Sequence, residues 1–403
     1  MVEQEKPKIS YETLWKAIIR PYRDIYKIKD LGNPKFSFFA RTYIRKDYDL
    51  ISSEGYLMKC SFYEPEISFR PKKIMPVVLY LHGNSSSRLE GMGVLREVLK
   101  RDMNLFTIDF PGCGLSEGDY ISLGYHESHD VKVVVDFIEK LPGVGNIGLW
   151  GRSMGAATTM IYAHKDDRIK AIVMDSPFAD FSILAKELVL KQIKLPNFLI
   201  DGALKIVNMT VRKKNGLDIE RLKPIDSAPK TMQPAIFVHA NSDELINNKH
   251  SDMLYNAYGG KDKKLLKCVG NHNTKRSNKI IREIGEFFYN HLVNEGSLNN
   301  NNDKNNIFNL DNFENTDNSN EKKNDIKKNE NENENNNINT KNNIDNSQKD
   351  KENKEDKEKE KEEKDKNEII LNNEKKQEIK EESKVDNKIS EDIKDANEIK
   401  ENK

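Results

Sequence analysis

The chain has 403 residues, and its 66 basic and 66 acidic side chains give a formal net charge of zero. This balance gives no overall field that would attract nucleic acid, so a nucleic-acid partner is not expected. The three cysteines, Cys60, Cys113 and Cys268, are too few and too widely spaced for a disulfide framework, which favours a reducing compartment.

Composition divides the chain into three parts. Residues 297–403 consist almost entirely of Asn, Lys, Glu and Asp, and such a segment cannot bury enough apolar surface to offset the entropy lost on ordering. We therefore predict a disordered low-complexity tail over residues 297–403. It follows a main domain over residues 43–296 and a helical extension over residues 1–42.

The sequence as given carries no recognisable targeting signal. Residues 1–8 are charged and lack the apolar core of a secretory signal, and no apolar run is long enough to span a bilayer. Val2 stands where N-myristoylation requires a glycine. These features predict a cytoplasmic protein.

The apolar spacing of residues 14–26 predicts a helix that Pro21 interrupts. Its mixture of aromatic and basic side chains, which includes Trp15 and Tyr22, could lie on a membrane surface or pack on the domain. The short apolar stripe favours packing. Peripheral membrane contact through this helix is the alternative.

Strand and helix patterns alternate through residues 43–296. Continuous apolar runs predict strands buried on both faces, and spaced apolar residues predict helices between them. A hairpin is predicted first, over residues 43–51 and 56–63. Later strands are predicted at 74–81, 105–110, 146–150, 169–175, 235–240 and 263–269, and helices at 89–100, 126–141, 249–258 and 276–293. The alternation predicts an α/β fold with a mostly parallel, doubly wound sheet.

The alternation breaks at about residues 178–232. Helices are predicted at 181–195 and 199–209, whereas residues 212–216 and the prolines that follow predict loop. An insertion at this point would lie over the carboxyl ends of the strands as a lid. Its apolar side chains could cover the core or line an acyl pocket, and covering the core is favoured.

A Gly-x-Ser-x-Gly motif at residues 151–155 stands between a strand pattern and a helix pattern. This is the context of a nucleophile elbow, a strained turn that presents the serine hydroxyl above the sheet; a chance turn is the alternative. Gly151 and Gly155 have no side chains, so the chain can pass closely on both sides of Ser153. The N–H of Met154 begins the helix, lacks a helical partner and could bind an oxyanion.

Two more polar loops follow later strands, at the edge where α/β sheets place their sites. Asp243 follows one strand and His272 follows the last, so the chain order is Ser, Asp, His. A serine hydroxyl needs a neutral imidazole to take its proton, and the imidazole needs a carboxylate to fix its tautomer. We therefore predict a catalytic triad of Ser153, Asp243 and His272.

Each assignment has a rival. Glu244 is the neighbour of Asp243, and Asp175 ends the strand after the elbow, so either could supply the carboxylate. His272 could be an ordinary surface histidine, but it is favoured because, of the eight histidines, it alone follows a buried strand downstream of the proposed acid.

The turn after the strand at 74–81 reads His82-Gly83-Asn84. In folds with a nucleophile elbow the second oxyanion donor comes from a loop at this place, so we assign it to the N–H of Asn84. His82 is expected to brace the loop rather than to act in catalysis.

Taken together, these motifs resemble the α/β hydrolases of the serine aminopeptidase-like (hydrolase 4) group, which has bacterial and protist members. The resemblance spans residues 76–293. It is carried by five features in order: the turn at 81–84, the D-x-x-G-x-G-x-S-x-G loop at 109–118, the motif at 151–155, Asp243 and His272. Two departures flank the acid, where the family usually has His-Gly and Val-Pro and this chain has His239-Ala240 and Ile246-Asn247.

The resemblance implies a serine hydrolase that needs no metal or organic cofactor. With the aliphatic insertion, it predicts cleavage of carboxylic esters, lipid-like acyl esters foremost, through an acyl-enzyme. A protein-depalmitoylating thioesterase would use the same parts and is the first alternative. A non-enzymatic hydrolase-fold protein with a partner-recruiting tail is the second, and deletion of residues 297–403 would separate the two because esterase activity should survive it.

Overall fold

The central strands are built from apolar runs that are buried on both faces. The computed structural model describes residues 11–192 and 196–293, so the predicted tail and residues 1–8 lie outside the described residues. Nine strands are found there: β1 Lys35–Phe38, β2 Arg41–Ile51, β3 Leu57–Pro65, β4 Met75–Leu81, β5 Asn104–Ile108, β6 Val144–Arg152, β7 Ile169–Asp175, β8 Ala235–Ala240 and β9 Lys263–Cys268.

These strands form one sheet in the order β1-β2-β3-β5-β4-β6-β7-β8-β9. Six neighbouring strands pair in parallel, in the order β5, β4, β6, β7, β8 and β9. Strands β1, β2 and β3 pair antiparallel at one edge of the sheet, where β3 pairs antiparallel with β5. The predicted mostly parallel sheet is therefore confirmed. All the carboxyl ends of the parallel strands meet at one edge, which places the loops after β4, β6, β8 and β9 together.

Helices cover the sheet and form the insertion between β7 and β8. Their bounds are α1 Tyr11–Ile19, α2 Met92–Leu99, α3 Glu127–Ile138, α4 Met154–Ala163, α5 Phe181–Gln192, α6 Asn197–Asn215, α7 Lys249–Ala257 and α8 Asn278–Phe288. In the described part of the chain, no helix combines the length and apolar character needed to cross a membrane.

Three local predictions were wrong. The helical pattern over 14–26 breaks before Pro21 as expected, since proline cannot donate to the helical ladder and disfavours helix in the residue before it, but residues 22–26 are not helical and α1 ends at Ile19. The predicted loop at 212–216 is instead the last turn of α6, which ends at Gly216 with a φ of 74°. Its three basic residues suit the negative end of the helix dipole. Strand β1 was missed, since four residues carry too little pattern.

The N-terminal extension packs on the domain, as the sequence favoured. Trp15 and Ile19 of α1 are buried. After the helix, the guanidinium of Arg23 donates to the carbonyl oxygens of Gly114 and Gly118, each at 3.0 Å. The extension is thereby fixed to the loop that follows β5.

That loop folds around one fully buried carboxylate, Asp109. It accepts hydrogen bonds from the backbone N–H of Arg88 at 2.6 Å, the N–H of Leu115 at 3.0 Å and the hydroxyl of Tyr26 at 2.8 Å. Burial, together with the charge of Asp109, raises the pKa of Tyr26 well above its ordinary value, so the hydroxyl stays protonated and able to donate. Gly114 has a φ of 50°, and a Cβ there would lie 2.3 Å from Cγ of Asp109. The D-x-x-G-x-G motif is thus explained by folding of this loop.

The guanidinium of Arg88 shares this buried site and offsets the charge of Asp109. We expect Arg88→Met to lower the free energy of unfolding by about 3–5 kcal/mol, because it leaves a buried carboxylate without its cation. Urea unfolding followed by circular dichroism measures the change. The matched control is Lys132→Met, which removes the cation from an exposed ion pair with Asp136 and should cost about 0.5 kcal/mol or less. Equal losses in both variants would contradict the prediction.

Candidate active site

Ser153 lies on a strained turn between β6 and α4. Its φ is 51°, in the left-handed region that residues with a Cβ rarely adopt. Its own N–H donates to the carbonyl oxygen of Asp175 at 2.8 Å, which holds the turn against β7. A Cβ added to Gly151 would lie 2.1 Å from the carbonyl oxygen of Gly155, and one added to Gly155 would lie 2.0 Å from that of Leu81. The turn therefore requires both glycines.

The structure brings the three predicted catalytic side chains into one hydrogen-bonded chain. Nε2 of His272 lies 3.1 Å from Oγ of Ser153, and its Nδ1 lies 2.7 Å from Oδ2 of Asp243. All three residues are buried and less than 10% exposed. Because the carboxylate can only accept, Nδ1 carries the proton and Nε2 is left to accept from the serine hydroxyl.

Asp243 lies in a site that favours its ionised form. Its Oδ1 accepts from the N–H groups of Leu245 at 3.0 Å and Ile246 at 2.8 Å. Burial raises the pKa of this carboxyl, but the hydrogen bonds from His239, His272 and Ile246 outweigh it and hold the pKa well below its usual range. The acid is therefore charged at neutral pH, as is needed to stabilise an imidazolium.

His239 is a neighbour of the acid that sequence reasoning missed in this role. Its Nε2 lies 3.3 Å from Oδ2 of Asp243 and 2.9 Å from the carbonyl oxygen of Ile246, and its Nδ1 lies 2.5 Å from Oγ of Ser251. Donation from Nε2 to the two oxygens and from the Ser251 hydroxyl to Nδ1 satisfies all of these contacts with a neutral ring. The available signal was the position of His239 at the end of β8, four residues before the acid.

The loop after β4 lies beside the serine. A Cβ added to Gly83 would lie 3.5 Å from Cβ of Ser153, so the chain that leads into Asn84 passes directly over the elbow. Met154 is the first residue of α4, and its N–H has no acceptor inside the helix. The buried ring of His82 accepts from the N–H of Phe110 at 3.1 Å and lies 2.8 Å from the carbonyl oxygen of Gly83, which suits a bracing role.

Asp175, the rival acid, lies near the elbow but contacts a different partner. The guanidinium of Arg276 binds its carboxylate with Nε at 2.8 Å from Oδ2 and Nη2 at 2.7 Å from Oδ1, and both side chains are 4% exposed. Arg276 also donates to the carbonyl oxygen of Thr274 at 2.9 Å. This ion pair therefore anchors the loop that carries His272. The other rival, Glu244, contacts α5: its backbone carbonyl oxygen accepts a hydrogen bond from Lys191. The carboxylate that contacts Nδ1 of His272 is that of Asp243.

A family model described as "alpha/beta hydrolase fold" matches residues 76–199, a span that contains the loop after β4 and the elbow. Protein YqkD of Bacillus subtilis is 26% identical over 219 residues, which are 53% of this chain and 71% of that protein. The alpha/beta hydrolase domain-containing protein WAV2 of Arabidopsis thaliana is 28% identical over 222 residues, 53% of this chain and 66% of that protein. The matched part thus leaves about a third of these relatives uncovered.

Among solved structures, the esterase Pf2001 of Pyrococcus furiosus matches with a TM-score of 0.52 and 19% identity. The match covers 68% of this chain and 98% of that one. At this identity the likeness shows a shared fold.

Proposed function

We propose that this chain, which has the α/β-hydrolase fold, is a serine hydrolase that cleaves carboxylic esters. The observation that carries the proposal is the buried chain of hydrogen bonds from Ser153 through His272 to Asp243. The esterase among its structural neighbours agrees with this reaction class. The narrower assignment to the protist members of the hydrolase 4 group rests on the sequence motifs alone and is part of the proposal.

Acylation would begin with attack of the Ser153 hydroxyl on the ester carbonyl. Nε2 of His272 takes the hydroxyl proton, and the ionised Asp243 stabilises the imidazolium through Nδ1. The N–H groups of Met154 and Asn84 would hold the oxygen that becomes negative. Collapse of this intermediate expels the alcohol, which receives its proton from His272 and leaves an acyl-enzyme.

Deacylation would repeat the sequence with water. His272 takes a proton from the water as it attacks the acyl carbonyl, and then returns a proton to Oγ of Ser153 as the acid leaves. Every proton moves through one imidazole. The proposed mechanism therefore calls on no group beyond the side chains and backbone donors already described.

The insertion between β7 and β8 supports a lipid-like acyl group as the substrate. Ile183 and Leu190 of α5 are 40% and 42% exposed, and Phe198 of α6 is 70% exposed. Helix α5 reaches the acid loop, since Lys191 donates to the carbonyl oxygen of Glu244. The insertion thus presents exposed apolar side chains, and one of its helices contacts the loop of the proposed acid. Matched oxygen esters and thioesters of one chain length would separate an esterase from a depalmitoylating thioesterase.

Labelling with a fluorophosphonate probe tests the proposed nucleophile. We expect the folded wild-type protein to be labelled and Ser153→Ala to give no label, because only an activated hydroxyl displaces fluoride from phosphorus at a useful rate. The matched control is Ser37→Ala, which removes an exposed hydroxyl of β1 and should leave labelling unchanged. Absence of label from folded wild type, or its persistence in Ser153→Ala, would reject the proposal.

A further inference from the structure

Arg152, the residue before the proposed nucleophile, joins two loops of the site. Its Nη1 donates to Oε1 of Glu90 at 2.5 Å, and its Nη2 donates to the backbone carbonyl oxygen of His272 at 2.8 Å. Oε2 of Glu90 accepts the N–H of Gly83 at 2.9 Å. One continuous path of hydrogen bonds therefore runs from the turn after β4, through the elbow, to the loop after β9.

The ion pair in this path is well shielded from water. The side chains of Arg152 and Glu90 are 20% and 13% exposed. Burial raises the pKa of Glu90, but the charge of Arg152 and the hydrogen bond from Gly83 outweigh it, so the pKa lies below its ordinary value. Tyr80 adds a hydrogen bond to Oε1 at 3.3 Å. The pair is thus charged, with partners for both carboxylate oxygens.

The two ends of the path lie next to groups with proposed catalytic roles. Gly83 directly precedes Asn84, so a fixed N–H at Gly83 limits where the proposed oxyanion donor can lie. The bond from Arg152 fixes the backbone of His272, whereas Asp243 orients only its ring. Arg152 directly precedes Ser153 in the chain. Its hydrogen bonds therefore fix the turn after β4 and the loop after β9 in position relative to the proposed nucleophile.

We infer that Glu90 and Arg152 are positioning residues, which hold the proposed oxyanion donor and the proposed base at fixed distances from Ser153. The inference rests on the proposed serine hydrolase function. Misplacement of reacting groups by about 1 Å can cost about 100-fold in rate, so an effect on turnover is expected although neither side chain touches the reacting atoms. A lysine at position 152 could not replace the arginine, since a single ammonium cannot span two acceptors as a planar fork does.

The test compares Glu90→Gln, Arg152→Lys and Arg152→Met with wild type on a short-chain p-nitrophenyl ester. Fluorophosphonate labelling carried to completion counts active sites, and thermal unfolding measures stability. We expect kcat per labelled site to fall by about 10- to 100-fold in all three variants, with KM changed by less than about 3-fold. The double variant Glu90→Gln/Arg152→Met should fall no further than the worse single variant, because both residues act through one path.

Arg168→Met is the matched control. Arg168 binds Asp136, Glu139 and Asp166 and precedes β7 at the end of the strand opposite to the site. Its removal should lower the melting temperature and leave kcat per labelled site unchanged.

A purely structural role for the pair would lower the melting temperature and the number of labelled sites while leaving kcat per site at the wild-type value, and that result would overturn the inference alone. Failure of wild type to hydrolyse esters or to be labelled would instead overturn the proposed function, and the inference with it. Should Glu90→Gln fail to fold, Arg152→Lys, which keeps the positive charge, tests the positioning role by the same measurements of kcat per labelled site and melting temperature.

Discussion

Replacement of Ser153 by alanine is expected to lower kcat for ester hydrolysis by roughly 10⁶-fold, the scale on which loss of the nucleophile acts in serine hydrolases. The alanine variant has no atom to form the acyl-enzyme, so only transition-state binding by the remaining donors is left. Initial rates on a p-nitrophenyl ester, with the variant purified separately from wild type to avoid carry-over, give the value.

The same experiment includes His272→Ala and the double variant. Nucleophile and base act as a unit, so His272→Ala should approach the same loss and the double variant should be no slower than Ser153→Ala. If the loss of kcat in the double variant instead equalled the product of the two single losses, Ser153 and His272 would not act together in the reaction. A kcat within about 10-fold of wild type in Ser153→Ala would show that another residue is the nucleophile.

The second large effect is expected at the acid. Asp243→Asn should lower kcat by about 10⁴-fold, as removal of the charge of a triad carboxylate does when the geometry is kept. An amide can donate to Nδ1 of His272, which would move the ring proton to Nε2 and leave no acceptor facing Ser153. Steady-state kinetics at pH 7 measure the loss, and circular dichroism checks that the fold is retained.

Two other carboxylates serve as comparisons for this variant. Asp252→Asn on α7 alters an exposed ion pair with Lys267 of β9 and should keep wild-type kcat. Asp175→Asn tests the rival acid, whose carboxylate is bound by Arg276. A larger loss of kcat in Asp175→Asn than in Asp243→Asn would reassign the acid.

The parts of this fold that could be predicted are those with a local cause. Buried parallel strands require continuous apolar runs, and the elbow requires glycine at positions 151 and 155, so both are visible in short stretches of sequence. The end of α6 was misread because consecutive basic residues look like a polar loop, although lysine and arginine are good helix formers.

The parts that could not be predicted depend on contacts between distant positions. In the sequence Arg152 is only a variable position of the motif. Its role depends on hydrogen bonds to Glu90 and to the backbone of His272, which are 62 and 120 residues away. His239 was identified only as a departure from the family pattern beside the acid, and the fold places its ring against Asp243. No periodicity in a sequence encodes such pairings.

The docking of the N-terminal extension has a consequence for synthesis of the protein. Tyr26 meets Asp109 across 83 residues, and Arg23 meets Gly118 across 95. A ribosome adds about 5–20 residues per second, so the extension waits roughly 5–20 seconds after its own translation before its partners exist. These docking contacts can therefore form only after residue 118 has been made, at a time when strands β6 to β9 have still to be synthesised.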